Sequence, residues 1–314
     1  MPHPFAFFAN GWEAHRLRPL NGPSLNSFFI QVPRRCSRSR NGQRQANFRI
    51  PRPLSLISQE MPSIDLTSRS SSSSATGSFD TVAGPALLDN PILNSLRTGH
   101  SSLALTHGVA RRFPADIGPL SGIPDQTEES YEDLRVLAGP LGDVALFLDD
   151  RPAPTAGWTL LRGGLLDQMI FASPRQRQPQ LLPLEAEMRP LTAEDAHAMV
   201  ALATLTEPGP FHLRTLELGA FFGIFHNCRL VAMAGQRLSL PGYVEVSAVC
   251  THPDFRGRGY APALMSTVME HIGAHGKTPI LHSFSSNAAA IAVYRGLGFT
   301  FRRSFHLAVL RNDL

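Results

Sequence analysis

The stretch "EVSAVCTHPDFRGRGYAPALMSTVMEHIG", residues 245–273, limits what this chain can fold into more than any other. It opens with a β-rich segment and passes through a turn built from glycine and arginine. Ala261, Leu264, Met265, Val268, Met269 and Ile272 then fall at i, i+3, i+4, i+7, i+8 and i+11, which is one face of a 3.6-residue period. Pro262 is accepted because a first-turn N–H has no helical partner to lose. A strand, a short glycine-rich loop and a helix N-terminus in that order direct successive backbone N–H groups at one point, where the helix dipole also favours negative charge. Gly257 and Gly259 would let a phosphate come close to the main chain. Arg256 and Arg258 either add charge or point into solvent, and a plain glycine-softened helix entry is the competing reading.

The rest of the chain places that stretch in a larger layout. Hydrophobic residues make up 43% of the 314, enough to bury a core, and no apolar run approaches the ~18 residues of a membrane span. Three scattered cysteines, Cys36, Cys228 and Cys250, show no metal-ligand spacing and fit a reduced, cytoplasmic compartment. The net charge of +4 is unevenly placed, because residues 1–60 hold nine arginines against Glu13 and Glu60, so the remainder is mildly acidic. That balance argues against nucleic-acid binding by the folded part. Residues 1–85 read as a low-complexity leader, with "RRCSRSRNGQRQ" and "SRSSSSSATGS" solvated and aperiodic. An organelle transit peptide, a nucleic-acid-binding arm and upstream sequence ahead of a true start at Met61 all remain open for it.

From residue 86 the pattern turns globular. An α+β half is expected over 86–185, with helices in "PALLDNPILNSLRTG" and "TEESYEDLRVLAG" and strands in "DVALFLDD" and "GWTLLRGGLLDQMIFA", the last read as a hairpin about Gly163 and Gly164. The proline-rich "SPRQRQPQLLPLEAEMRPL" marks a boundary near residue 185, and residues 186–314 form the second domain. There a helix begins at Thr192, a second helix is expected over "LRTLELGAFF", and strands follow in "RLVAMAGQRLSL" and "YVEVSAVCTHP". After the quoted helix come a strand "PILHSF", a helix "NAAAIAVYRGLGF" and a strand pair in "TFRRSFHLAVL".

Two phosphate motifs fail: no lysine completes G-x-x-x-x-G-K-[ST], and Pro262 stands where G-x-G-x-x-G needs its third glycine. R-x-x-G-x-A, as Arg256, Gly259 and Ala261, resembles instead the pyrophosphate signature of the GNAT superfamily of acyl-CoA N-acyltransferases. "SNAAAIAVYRGLGF" is similar to that family's closing helix, with Asn287, Tyr294 and Gly298-Phe299 in order. The resemblance covers about residues 188–312, lies nearest the glycine N-acyltransferase branch, and implies an α/β (α+β) GNAT fold, a mixed sheet flanked by helices. It allows the N-terminal half to be a degenerate repeat of the same fold.

What the resemblance implies about chemistry is specific. Acetyl-CoA is the expected co-substrate and no metal is expected. Arg256, Gly257, Arg258, Gly259, Tyr260, Ala261 and Pro262 would bind its diphosphate, while main-chain groups of Val249, Cys250 and Thr251 and the side chain of Asn287 would hold the pantetheine arm. Glu245, eleven residues before Arg256, matches a family glutamate that acts as general base, against the reading of a solvent-facing strand residue. An amine of pKa ~10 is unprotonated in only about one molecule in a thousand at pH 7, so a base is chemically apt. Tyr294 matches the family acid that protonates the departing thiolate, against a core aromatic. The acceptor is expected to be a small amine, an amino acid or a peptide amine, with Glu207, Phe211, His212 and Arg214 as candidate liners. His271 and His275, four apart near a helix end, read as a dipole contact rather than a metal pair. The alternative to an N-acetyltransferase is a non-catalytic acyl-CoA-binding sensor or interaction module.

Overall fold

The computed structural model describes residues 84–153, 156–173 and 182–314; the leader expected over 1–85, with the start at Met61, lies outside them but for residues 84 and 85. After a 3-10 turn at Pro85–Asp89 comes α1 (Pro91–Arg97), started by Asn90, whose side chain accepts from the Leu93 N–H. Short strands β1 (Leu105–His107), β2 (Ala110–Arg112) and β3 (Ser121–Gly122) form a separate antiparallel sheet. Thr127 caps α2 (Glu128–Ala138), whose first turn carries Glu128 and Glu129, and Gly139 ends it at φ 70°.

Among the described residues the main sheet has eight strands. β4 (Asp143–Leu148) and β5 (Trp158–Phe171) precede residue 185, and β6 (Ala186–Pro190) follows it. A capping box between Thr192 and Asp195 leads into α3 (Ala196–Thr206), and then come β7 (Phe221–His226), β8 (Arg229–Leu240) and β9 (Tyr243–Thr251). The glycine turn runs into α4 (Tyr260–Ala274), followed by β10 (Thr278–Phe284), α5 (Ala288–Gly296) and β11 (Phe299–Asn312). The spatial order is β4-β11-β5-β10-β9-β8-β7-β6, so strands from both sides of residue 185 share one sheet. Its one parallel pair, β9 with β10, is joined by α4, because parallel neighbours need a long crossover.

Strand alternation sorts the side chains onto two faces. Val231, Val244 and Val246 meet Leu264, Met265, Val268 and Ile272 of α4, with Phe299 beside them. On the other face Leu230, Met233 and Cys250 meet Met199 and Leu202 of α3, and Leu238, Leu240 and Phe305 meet Ile92 and Leu96 of α1. Each such fully buried side chain contributes about 1.5–3 kcal/mol.

Three local expectations are corrected. β5 is one continuous strand rather than a hairpin, because Gly163 and Gly164 pair straight across to Ala308 and Leu307 and neither takes the positive φ of a tight turn. "LRTLELGAFF" is not a helix: a 3-10 turn at Thr215–Leu218 stops at Gly219, at φ 157°, and the next residues are drawn into β7. "TFRRSFHLAVL" is a single strand, β11, held on both edges by β4 and β5. In all three, pairing across the sheet outweighs local pattern. No helix among the described residues is long and apolar enough to cross a membrane.

Candidate active site

The site lies where β9 and β10 part. Their pairing runs only from Thr278↔Tyr243 to Ile280↔Glu245, and beyond it the two strands diverge. The divergence coincides with a bulge in β9. Gly235 pairs with Ser247 but Met233 with Cys250, so β9 has one residue too many, and Ala248 sits at φ 52°. The bulge leaves part of the main chain of residues 247–251 facing the gap rather than β10.

Two cavities open there. One, about 280 Å³, is bordered by Val249, Cys250 and Thr251 on the strand side and by Arg256, Gly257, Gly259, Tyr260, Ala261 and Pro262 on the turn and helix side. Asn287 and Tyr294 of the α5 region complete it. Asn287 also caps α5, its Oδ1 accepting from the Ala290 N–H at 3.2 Å. Both glycines of the turn sit at φ 76°, in the region that glycine enters without strain. A Cβ on Gly257 would meet nothing within 4 Å, so there is open room beside the main chain. Of the residues expected in this cradle, Arg258 alone does not border the cavity; it is exposed, with its guanidinium 4.9 Å from the Phe255 ring.

The second cavity, about 460 Å³, runs across the other side of the gap. Leu120, Ala145, Phe147, Arg162 and Leu166 from the first half of the chain form one wall. Glu207, Phe211 and His212, three of the four liners expected from sequence, form another. Arg214 stands apart, tied to Asp116 and Glu217 at the surface. Val249, Met265 and Tyr294 border both cavities. The Tyr294 phenol is pushed up to about 12 by burial, with a Ser283 hydrogen bond opposing, so it holds its proton at neutral pH.

A solved structure decides the family. A GNAT-family crystal structure from Novosphingobium aromaticivorans DSM 12444 is 36% identical, matching 72% of this chain and 99% of its own, with a TM-score of 0.65. The chain belongs to the GNAT family. A GCN5-related N-acetyltransferase from Kribbella flavida, 14% identical over 74% of this chain and 96% of its own, has the same fold at a TM-score of 0.50. The family description "FR47-like protein" matches residues 221–306, from β7 into β11. No curated protein matches.

Within this GNAT site, Glu245 borders neither cavity. It is fully buried, and Arg237 grips it through Nε at 2.8 Å and again through Nη2. His282 approaches its Oε1 with Nδ1 at 2.8 Å. Burial would raise the Glu245 carboxyl, but the charge of Arg237 and the His282 ring outweigh it and hold the group at about 2. The surrounding hydrogen bonds assign the tautomer. Gln168 accepts from Arg302 at 2.9 Å and donates to the Leu88 carbonyl at 3.1 Å, so its amide nitrogen donates to His282 Nε2 and leaves the ring proton on Nδ1. Arg237 and His282 do border the larger cavity, and Glu245 stands one layer behind them.

For the coenzyme A of a GNAT enzyme, the donor-side residues fit. The turn offers open main chain at Gly257, and the buried Tyr260 hydroxyl, beside the same cavity, lacks a hydrogen-bond partner among the described residues. What sequence reading missed is the contribution of the first half: Phe147 and Arg162 belong to no motif, and only the pairing of β4 and β5 into the sheet brings them here. His271 and His275 contact each other at the end of α4, where Nδ1 of His275 lies 2.7 Å from the His271 carbonyl.

Proposed function

We propose that this protein is an acyl-CoA N-acyltransferase that moves an acetyl group from acetyl-CoA directly to an amine. The observation that carries the reading is the meeting of two cavities at Tyr294, Val249 and Met265 where β9 and β10 part. The smaller cavity suits the donor. Its diphosphate would lie against the main chain of Arg256–Pro262 at the N-terminus of α4, and its arm along the bulged edge of β9. The larger, mostly apolar cavity suits the acceptor. The thioester supplies an activated acyl group with a good leaving group. Unpaired N–H groups at the bulge would polarise its carbonyl, and the Tyr294 phenol would donate a proton to the departing sulfur.

Glu245, expected as the base, we assign to a supporting role. Both its oxygens are taken by Arg237 and His282, and a carboxyl held at about 2 is a weak proton acceptor. Its work is to fix the Arg237 and His282 side chains that wall the acceptor cavity.

The test is direct. The full chain is melted with and without acetyl-CoA, and thiol release is followed with a panel of amines. A rise in melting temperature with acetyl-CoA and amine-dependent thiol release are expected. Stabilisation without release across the panel would favour the sensor, and absence of both would end the acyl-transfer reading.

A further inference from the structure

Among the described residues, Glu207 is the one acidic side chain that borders the acceptor cavity. It follows α3 directly and sits at φ 47°, ψ 54°, a left-handed conformation that a residue with a Cβ adopts only when its surroundings hold it there. Its Oε2 is shielded from solvent and has no hydrogen-bond partner among the described residues. A buried carboxylate oxygen without a donor is costly, and such groups persist where a ligand completes them. The complement of an unpartnered carboxylate in a mostly apolar cavity is an ammonium.

We propose that Glu207 receives the acceptor: its Oε2 binds the ammonium and takes the proton that must leave before nitrogen can attack. The assignment rests on the acyl-transfer reading above. The nitrogen gives one proton to Oε2 and its freed lone pair forms the bond to the acyl carbon. The carbon–sulfur bond breaks, and sulfur takes the Tyr294 proton. The second nitrogen proton and the one held by Glu207 pass to solvent, and one proton from solvent restores Tyr294. Phe147, Leu166, Phe211 and Phe284 border the same cavity, so the amine served best carries an apolar or aromatic group.

The experiment compares wild type with Glu207→Gln, which keeps the shape of the side chain and removes its charge. Melting temperature is read with and without acetyl-CoA, and thiol release is read with phenethylamine, benzylamine, L-phenylalanine and glycine. The variant is expected to melt at or above the wild-type temperature, because an unpartnered charge has been removed, and to keep the full acetyl-CoA shift. Its kcat/KM should fall at least 100-fold for every amine that wild type accepts. Turnover in Glu207→Gln within threefold of wild type would overturn the proposal. A wild type that binds acetyl-CoA yet turns over none of the four amines would favour the sensor and remove this assignment together with the acyl-transfer reading. A wild type with no acetyl-CoA shift would instead remove the acyl-CoA reading itself, and this assignment with it.

Discussion

Arg237 on β8 and Glu245 on β9 form a two-point ion pair across neighbouring strands, with Nε donating to Oε2 at 2.8 Å and only 1% of the Glu245 side chain exposed. Such a pair repays its loss of hydration only while both partners are present. Glu245→Gln leaves Arg237 without its counter-charge and is expected to destabilise the fold by about 3–5 kcal/mol. Denaturant unfolding would measure this, and a loss below ~1 kcal/mol would contradict the buried geometry.

The same pair sets an acid limit. The Glu245 carboxyl is held at about 2 in the folded protein, below its ordinary 4.5, so folding favours its ionised form. Its stabilisation is complete above pH ~4.5 and is lost as pH falls from there towards 2. Unfolding midpoints measured across that window should drop with pH in wild type. The part of the slope due to this residue should vanish in Glu245→Gln.

Tyr294→Phe removes the proposed proton donor where the two cavities meet and keeps the ring that packs 6.5 Å from Phe299. A drop in kcat of about 100-fold is expected, with little change in the acetyl-CoA melting shift. Because burial pushes the phenol up to about 12, wild-type turnover should show no loss traceable to this group between pH 7 and 9. An unchanged kcat in the variant would transfer the acid role elsewhere.

Gly257→Ala adds one carbon where nothing lies within 4 Å, but it does so at φ 76°. The strain is about 1–2 kcal/mol, and the new methyl group occupies the space assigned to the donor diphosphate. Calorimetric titration with coenzyme A should show weaker binding, while the amine KM stays as in wild type.

How much of this was legible in the sequence differed by element. Helix α4 and its turn could be read directly, because apolar period and glycine placement both act within twenty residues of chain. The places of Asn287, at the cap of α5, and Tyr294, within that helix, were legible through the resemblance carried by "SNAAAIAVYRGLGF". The environment of Glu245 was not: Arg237 and His282 reach it from two other strands, with Gln168 behind His282 on a third, and no spacing along the chain records that meeting. The hairpin expected at Gly163-Gly164 failed likewise, since the flanking residues extend to match β11, more than a hundred positions away.

The place of β5 between β10 and β11 has a consequence for how this molecule is made. Phe171 leaves the ribosome long before its partner Phe299, and at ~5–20 residues per second the wait is on the order of ten seconds. Through most of that interval a fourteen-residue strand, with Leu160, Leu161 and Leu165 among its side chains, has neither of its eventual neighbours. Cellular yield should therefore depend on holdase chaperones and on translation speed across the second half of the message, more than on the stability of the finished sheet.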